Sequence, residues 1–151
     1  MIPMRTLLRC IALAAALALP AAGAHAIEYR SVAESAILYD SPSDKGKRLF
    51  IVAPGTPLEV VVNLEKWAKV RDAGGSINWI ERRALSDKRT VLVTSARAVV
   101  RQRAAADAPV AFESAKDVVL EVTGNANEGW LPVRHKDGVS GFVRVTEVWG
   151  L

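Results

Sequence analysis

Two tryptophans are each followed four residues later by an arginine, in Trp67-Ala68-Lys69-Val70-Arg71 and Trp130-Leu131-Pro132-Val133-Arg134. An indole face beside a guanidinium suits an extended peptide or a carboxylate-bearing sugar, held by stacking and by paired, charge-assisted hydrogen bonds. Tyr39, Trp79 and Phe142 add aromatic surface, so the candidate ligand-binding set is Tyr39, Trp67, Arg71, Trp79, Trp130, Arg134 and Phe142. Catalytic chemistry is poorly supplied by comparison. His135 has Asp137 and Ser140 nearby, but sequence proximity does not build a nucleophile–base–acid geometry, and no Gly-x-Ser-x-Gly elbow surrounds the serine. At a strand end beside a turn, His135 is expected to face solvent. Two carboxylates for glycoside hydrolysis can come from anywhere in a chain, but domains this small rarely form the long cleft such a reaction needs. The expectation is no catalytic residue, no metal ligand set and no cofactor, since neither a Walker nor a dinucleotide glycine pattern occurs.

Something must position those two tryptophan strands, and the chain writes that something twice. From Trp67 through Gly75 to Trp79-Ile80-Glu81, each position recurs 63 residues later, ending at Phe142-Val143-Arg144. Upstream the offset is 62, taking Ala36 to Ala98, Phe50 to Phe112 and Leu58-Glu59-Val60 to Leu120-Glu121-Val122. One inserted residue before Trp130 explains the change. A repeat of this length implies two small modules in tandem.

Met1 to Ala26 has the form of a secretion signal, with Arg5 and Arg9 ahead of the apolar run Cys10 to Leu19, and Ala24-His25-Ala26 as a small-x-small cleavage pattern. Cleavage is expected after Ala26, which places the product in the periplasm or outside the cell. The run is shorter than the roughly 20 residues that span a bilayer, so no stable membrane anchor is expected. Removing the leader takes two of the 20 Lys and Arg and none of the 16 Asp and Glu, leaving a charge of +2. So weak a charge, without a dense basic run, gives no expectation of nucleic-acid binding. The single cysteine leaves as well, and with it any disulfide or thiol chemistry.

Within 27–151 the local signals are β throughout. Leu58-Glu59-Val60-Val61-Val62 follows the turn sequence Pro54-Gly55-Thr56-Pro57, and Trp67 to Arg71 alternates strictly before Asp72-Ala73-Gly74-Gly75 returns the chain into Ile77 to Ile80. The second copy repeats this with Val118 to Thr123, Trp130 to His135, the turn Lys136-Asp137-Gly138, and Gly141 to Val145. The polar stretches Glu81 to Leu85 and Val145 to Val148 each fit a single 3₁₀ turn. A helix from Ile80 to Arg89 competes, but its apolar stripe is weak.

A long first loop, a three-stranded meander, a 3₁₀ turn and a final short strand, occurring twice, resemble the bacterial SH3 domain in its exported, proteobacterial, tandem form. The residues that carry the resemblance are Gly55 to Val60, Trp67 to Arg71 and Asn78 to Glu81, then Gly129 to Arg134 and Asp137 to Val143. The resemblance implies an all-β chain of two tandem small SH3-like barrels, packed closely. A leader at 1–26 precedes one repeat at 27–86 and another at 87–151. It implies a non-catalytic binding module whose partner is peptidoglycan or an envelope protein or peptide, with a docking or assembly role on an envelope protein as the alternative and a wall hydrolase as the remote one. A monomer is the expected state.

Strand alternation puts Ala68 and Val70 on one face and Trp67, Lys69 and Arg71 on the other, with the same division for Leu131 and Val133 against Trp130, Pro132 and Arg134. The basic face should be wet, so both tryptophans are expected at or near the surface. Burying a tryptophan withdraws roughly 150–250 Å² from water, worth about 4–6 kcal/mol, so each has a use: packing within or between the repeats, or touching a ligand. Tyr39 and Pro42 should lie in the first long loop, with Arg71 or Trp79 opposite. Trp79 and Phe142 occupy equivalent positions and are expected to pack in the core, while Trp149 should seal the last strand against its barrel.

Overall fold

The computed structural model describes residues 26–151, so the expected leader and its cleavage lie outside the described residues, Ala26 excepted. The first copy runs β1 (Glu28–Val32), β2 (Ala36–Tyr39), β3 (Arg48–Val52), β4 (Pro57–Asn63), β5 (Trp67–Arg71), β6 (Ile77–Glu81), a 3₁₀ turn (Arg82–Ala84) and β7 (Leu85–Ser86). The second runs β8 (Thr90–Val93), β9 (Arg97–Arg101), β10 (Val110–Ala115), β11 (Val119–Val122), β12 (Trp130–Arg134), β13 (Ser140–Arg144), a 3₁₀ turn (Val145–Glu147) and β14 (Val148–Trp149). The strands form two antiparallel sheets ordered β3-β2-β6-β5-β4-β1-β7 and β10-β9-β13-β12-β11-β8-β14. Adding seven to each strand number of the first sheet gives the second. The duplication read from the sequence is therefore a duplication of topology.

Each sheet curls over its own core. Val32, Leu38, Leu58, Ala68, Val70 and Ile80 come from strands spread across the first sheet yet form one cluster. Their counterparts Val93, Val100, Leu120, Leu131, Val133 and Val143 do the same in the second. Volume is traded between positions: Leu131 is larger than Ala68, while Val100 and Val143 are smaller than Leu38 and Ile80. Close packing rewards such compensation. The second core is also the more complete. Val91 and Val145 pack in it, whereas their places in the first copy fall to Arg30, by strand register, and to Arg82, by the repeat offset of 63. Arg30 is instead paired with Glu28 at 2.7 Å and with Asp87.

Only three residues separate β7 from β8, and the copies dock against each other. Tyr29 of β1 meets Trp149 of β14 edge-on, with ring centroids 5.1 Å apart and planes at 84°. Thr90, itself buried, donates its hydroxyl to the carbonyl of Gly55 at 2.7 Å. Gly150 has φ +117°, and a Cβ there would stand 3.0 Å from the Thr90 carbonyl oxygen and 3.1 Å from Pro57 Cβ, so only glycine fits this approach. Trp149 thus seals the junction between the copies, where the sequence suggested it would close its own barrel. The reason is its long-range partner Tyr29, which nothing local to Trp149 reveals. The connecting segment is tied to both sides, Asp87 to Arg30 and Lys88 to Glu121 at 3.0 Å.

Truncation of Trp149 to alanine is expected to lower unfolding stability in urea by about 2 kcal/mol. A double-mutant cycle of Trp149→Ala with Tyr29→Ala should return a coupling of about 1 kcal/mol. A coupling near zero would contradict the docking contact.

Candidate functional site

The hairpin β5–β6 and its counterpart β12–β13 carry the candidate residues other than Tyr39 on their outer faces. Both are closed by turns of the same shape, with the amide of Asp72 donating to the Ser76 carbonyl at 3.0 Å and that of His135 to the Val139 carbonyl at 2.9 Å. Gly75 at φ +88° and Gly138 at φ +94° supply the left-handed residue that each turn requires. Register then fixes the neighbours. In the first copy Trp67 lies opposite Glu81 and Lys69 opposite Trp79; in the second Trp130 lies opposite Arg144 and Pro132 opposite Phe142.

That one exchange, Glu81 for Arg144, makes the two sites different. The Arg144 guanidinium sits 4.1 Å from the centroid of the Trp130 ring, and Trp130 is only 6% exposed. The expectation of a surface tryptophan therefore fails for Trp130. A cation over the ring, attracted by its π-face, takes the place of water. Trp67 has no such cover and is half-buried, its ring edge-on to Tyr39 with centroids 5.2 Å apart and planes at 88°. Tyr39 lies in strand β2, not in the long loop, and is 6% exposed; it pairs in register with Trp79. The position equivalent to Tyr39 is Arg101, which donates to the Ala108 carbonyl at 3.0 Å inside its own loop.

The two arginines are spoken for by carboxylates. Arg71 lies 3.1 Å from Glu59 and Arg134 2.9 Å from Glu121, so the same cross-strand ion pair recurs in each copy. Trp79 and Phe142 are on the outer faces and half-buried, not in the cores as expected, because alternation gives the inward places to Ile80 and Val143. Lys69 lies 5.6 Å from the Trp79 ring centroid.

Around the Tyr39–Trp67 corner lie two hollows with a shared border. One, of about 540 Å³, is lined by Ile37 and Tyr39, and the other, of about 470 Å³, by Pro42, Asp44, Lys66 and Trp67; Glu81 and Arg83 border both. Glu81 and Arg83 form an ion pair across this rim, and the carboxylate raises the Arg83 guanidinium above its already high ordinary pKa. Sequence reasoning missed Ile37, Glu81 and Arg83. A signal for Glu81 existed, since a hairpin closed at Asp72–Gly75 puts it opposite Trp67.

His135 is half-buried rather than exposed. Its ring lies 5.7 Å from that of Phe112, and its Nδ1 lies 3.1 Å from Asp137. Asp137 is held below the usual aspartate pKa, first by the backbone N–H of Val139 and then by His135. Among the described residues no group of three or more His, Cys, Asp or Glu is placed to hold a metal ion, and no helix is long and apolar enough to cross a membrane.

Twin curled sheets with a 3₁₀ turn before each last strand, and an aromatic corner beside the long loop, define a pair of small SH3-like domains. The bacterial SH3 domain family model matches residues 32–87 and again 94–150, and the chain belongs to that family. No curated protein matches it. Among solved structures it is similar to NlpC2 of Trichomonas vaginalis (10% identity, TM-score 0.38, covering 82% of this chain and 48% of that one). It is also similar to NlpC1 of Trichomonas vaginalis (11%, 0.38, 83% and 46%) and to an NlpC/P60 family protein of Bacillus cereus ATCC 10987 (14%, 0.37, 81% and 56%). The chain spans about half the length of each of these proteins.

Glu121 is held below the ordinary glutamate pKa, first by its hydrogen bond from Lys88, against the opposing effect of burial, and further by that from Arg134. A depressed folded-state pKa stabilises the fold above the unfolded value and loses that contribution as pH falls through the folded one. Wild type should therefore lose more stability than Glu121→Gln between about pH 5 and pH 3, read as urea midpoints. Parallel pH profiles would contradict the pairing.

Proposed function

We propose that the chain is an exported, non-catalytic binding protein that recognises peptidoglycan or an extended peptide of the cell envelope, and that recognition falls to the first copy. The carrying observation is the contrast between the two aromatic corners. Tyr39 and Trp67 border open hollows beside Glu81 and Arg83, while Trp130 lies beneath Arg144. An extended chain crossing that corner finds an indole face for stacking, a carboxylate for an amine and a guanidinium for a carboxylate. Peptide bridges of a cell wall offer both charge types along an extended backbone. Membership of the bacterial SH3 family supports a binding role, and the Met1–Ala26 leader supports export to the periplasm or beyond.

Docking onto an envelope protein is the second reading, favoured by edge strand β3, where Phe50 is 61% and Ile51 79% exposed. An unpaired apolar edge invites another strand.

Retention on purified sacculi separates the two. Trp67→Ala should reduce retention about tenfold or more, while Arg144→Gln should leave it near wild type. Thermal melting of each variant checks that it is folded. Wild type retained no better than a folded Trp67→Ala variant would contradict wall binding. Crosslinking from Ile51 to an envelope protein in intact cells would then favour the docking role.

A further inference from the structure

Between the copies lies a cleft of about 660 Å³ that belongs to neither domain alone. Its apolar surface comes from Pro54 of the first copy and Val118 and Val119 of the second. Its charges are Lys88, Arg134, Lys136 and Glu121, with His135 beside them. Glu121 is shared by Lys88 at 3.0 Å and Arg134 at 2.9 Å. Three cations against that single carboxylate leave two positive charges in excess. A cavity of this volume is of the size that ordinary small ligands occupy, roughly 300–1,000 Å³.

The charge excess is not inherited from the repeated fold. Strand register makes Lys88 the counterpart of Ile27, and the repeat makes Arg134-His135-Lys136 the counterpart of Arg71-Asp72-Ala73. In the first copy the equivalent Arg71–Glu59 pair lies beside Tyr29, whose hydroxyl pKa is raised by burial and then by Glu59. Tyr29 is in turn covered by Trp149. The second copy's pair opens onto this cavity, and there Lys88 and Lys136 stand where the first copy has Ile27 and Ala73.

We infer that this inter-repeat cleft is a second binding site, separate from the Trp67 groove, for a small organic anion whose carboxylate meets Lys88, Arg134 and Lys136 while its apolar part lies against Val118, Val119 and Pro54. The ligand's carboxylate joins Glu121 in sharing cations that one carboxylate alone does not neutralise. Because walls come from both copies, the site exists only while they are docked, and an occupant stabilises the docked arrangement.

The test is a titration of the full mature chain with N-acetyl-leucine, followed by backbone amide NMR. Saturable shifts at Lys88, Val119 and Arg134 are expected in the millimolar range. N-acetyl-leucinamide, which lacks the charge, should bind about fivefold more weakly or worse, as should Lys88→Ala/Lys136→Ala with the acid. Inorganic phosphate should also be weaker, since it leaves the apolar wall unused. Equal binding of acid and amide, phosphate matching the acid, or shifts confined to the Trp67–Glu81 corner would each overturn the proposal. Loss of sacculus binding is read in a different assay, so a failure of the wall-binding role and a failure of this site remain distinguishable.

Discussion

Both domains depend on one packing constraint: a sheet of short strands must curl over a core too small to stand well alone. Domains of about 60 residues bury only about 60% of the surface their unfolded chains expose. The first copy is the poorer, having Arg30 and Arg82 where the second has Val91 and Val145. Docking of β1 against β14, and of the β3–β4 turn against β8, adds the missing burial, through Tyr29 on Trp149 and Thr90 on Gly55. A connection of only three residues keeps those surfaces at high effective concentration, so a modest interface holds.

With one outer face of each copy committed to docking, the outer faces of the hairpins are free to diverge. The two hairpin turns have the same backbone bonds in both copies, so the difference across the hairpins is one of side chains. Exchanging Glu81 for Arg144 turns the residue opposite a tryptophan from a group repelled by a π-face into one attracted to it. Exchanging Tyr39 for Arg101 removes the second aromatic wall. The first corner stays open beside charged groups of both signs, and the second closes. On the binding role proposed above, duplication followed by such exchanges would leave one copy to recognise and the other to support, with a basic cleft at their junction.

Much of the fold was legible in the sequence because its signals are local or periodic. The alternation of Trp67 to Arg71, the turn at Asp137-Gly138 and the offset of 63 fixed strands, hairpins and copies without any knowledge of long-range pairing. The 3₁₀ turns followed from short polar stretches after the last long strands. The site was harder, because exposure depends on the neighbouring strand. Trp130 looked wet beside Arg134, yet the arginine that matters is Arg144, reached only through register. Trp149 and Tyr29 are separated by most of the described chain, and His135 gains its partner Phe112 from another strand. Neither contact leaves a mark in the sequence nearby.

The central contrast is that Trp67 is partly open to solvent while Arg144 closes Trp130. Labelling the protein with 5-fluorotryptophan and comparing ¹⁹F shifts in H₂O and D₂O reads the exposure of every tryptophan without removing any. A clear solvent shift is expected at Trp67, almost none at Trp130, and the appearance of one at Trp130 in Arg144→Gln. Equal solvent shifts at Trp67 and Trp130 in the wild type, unmoved by that substitution, would contradict the account.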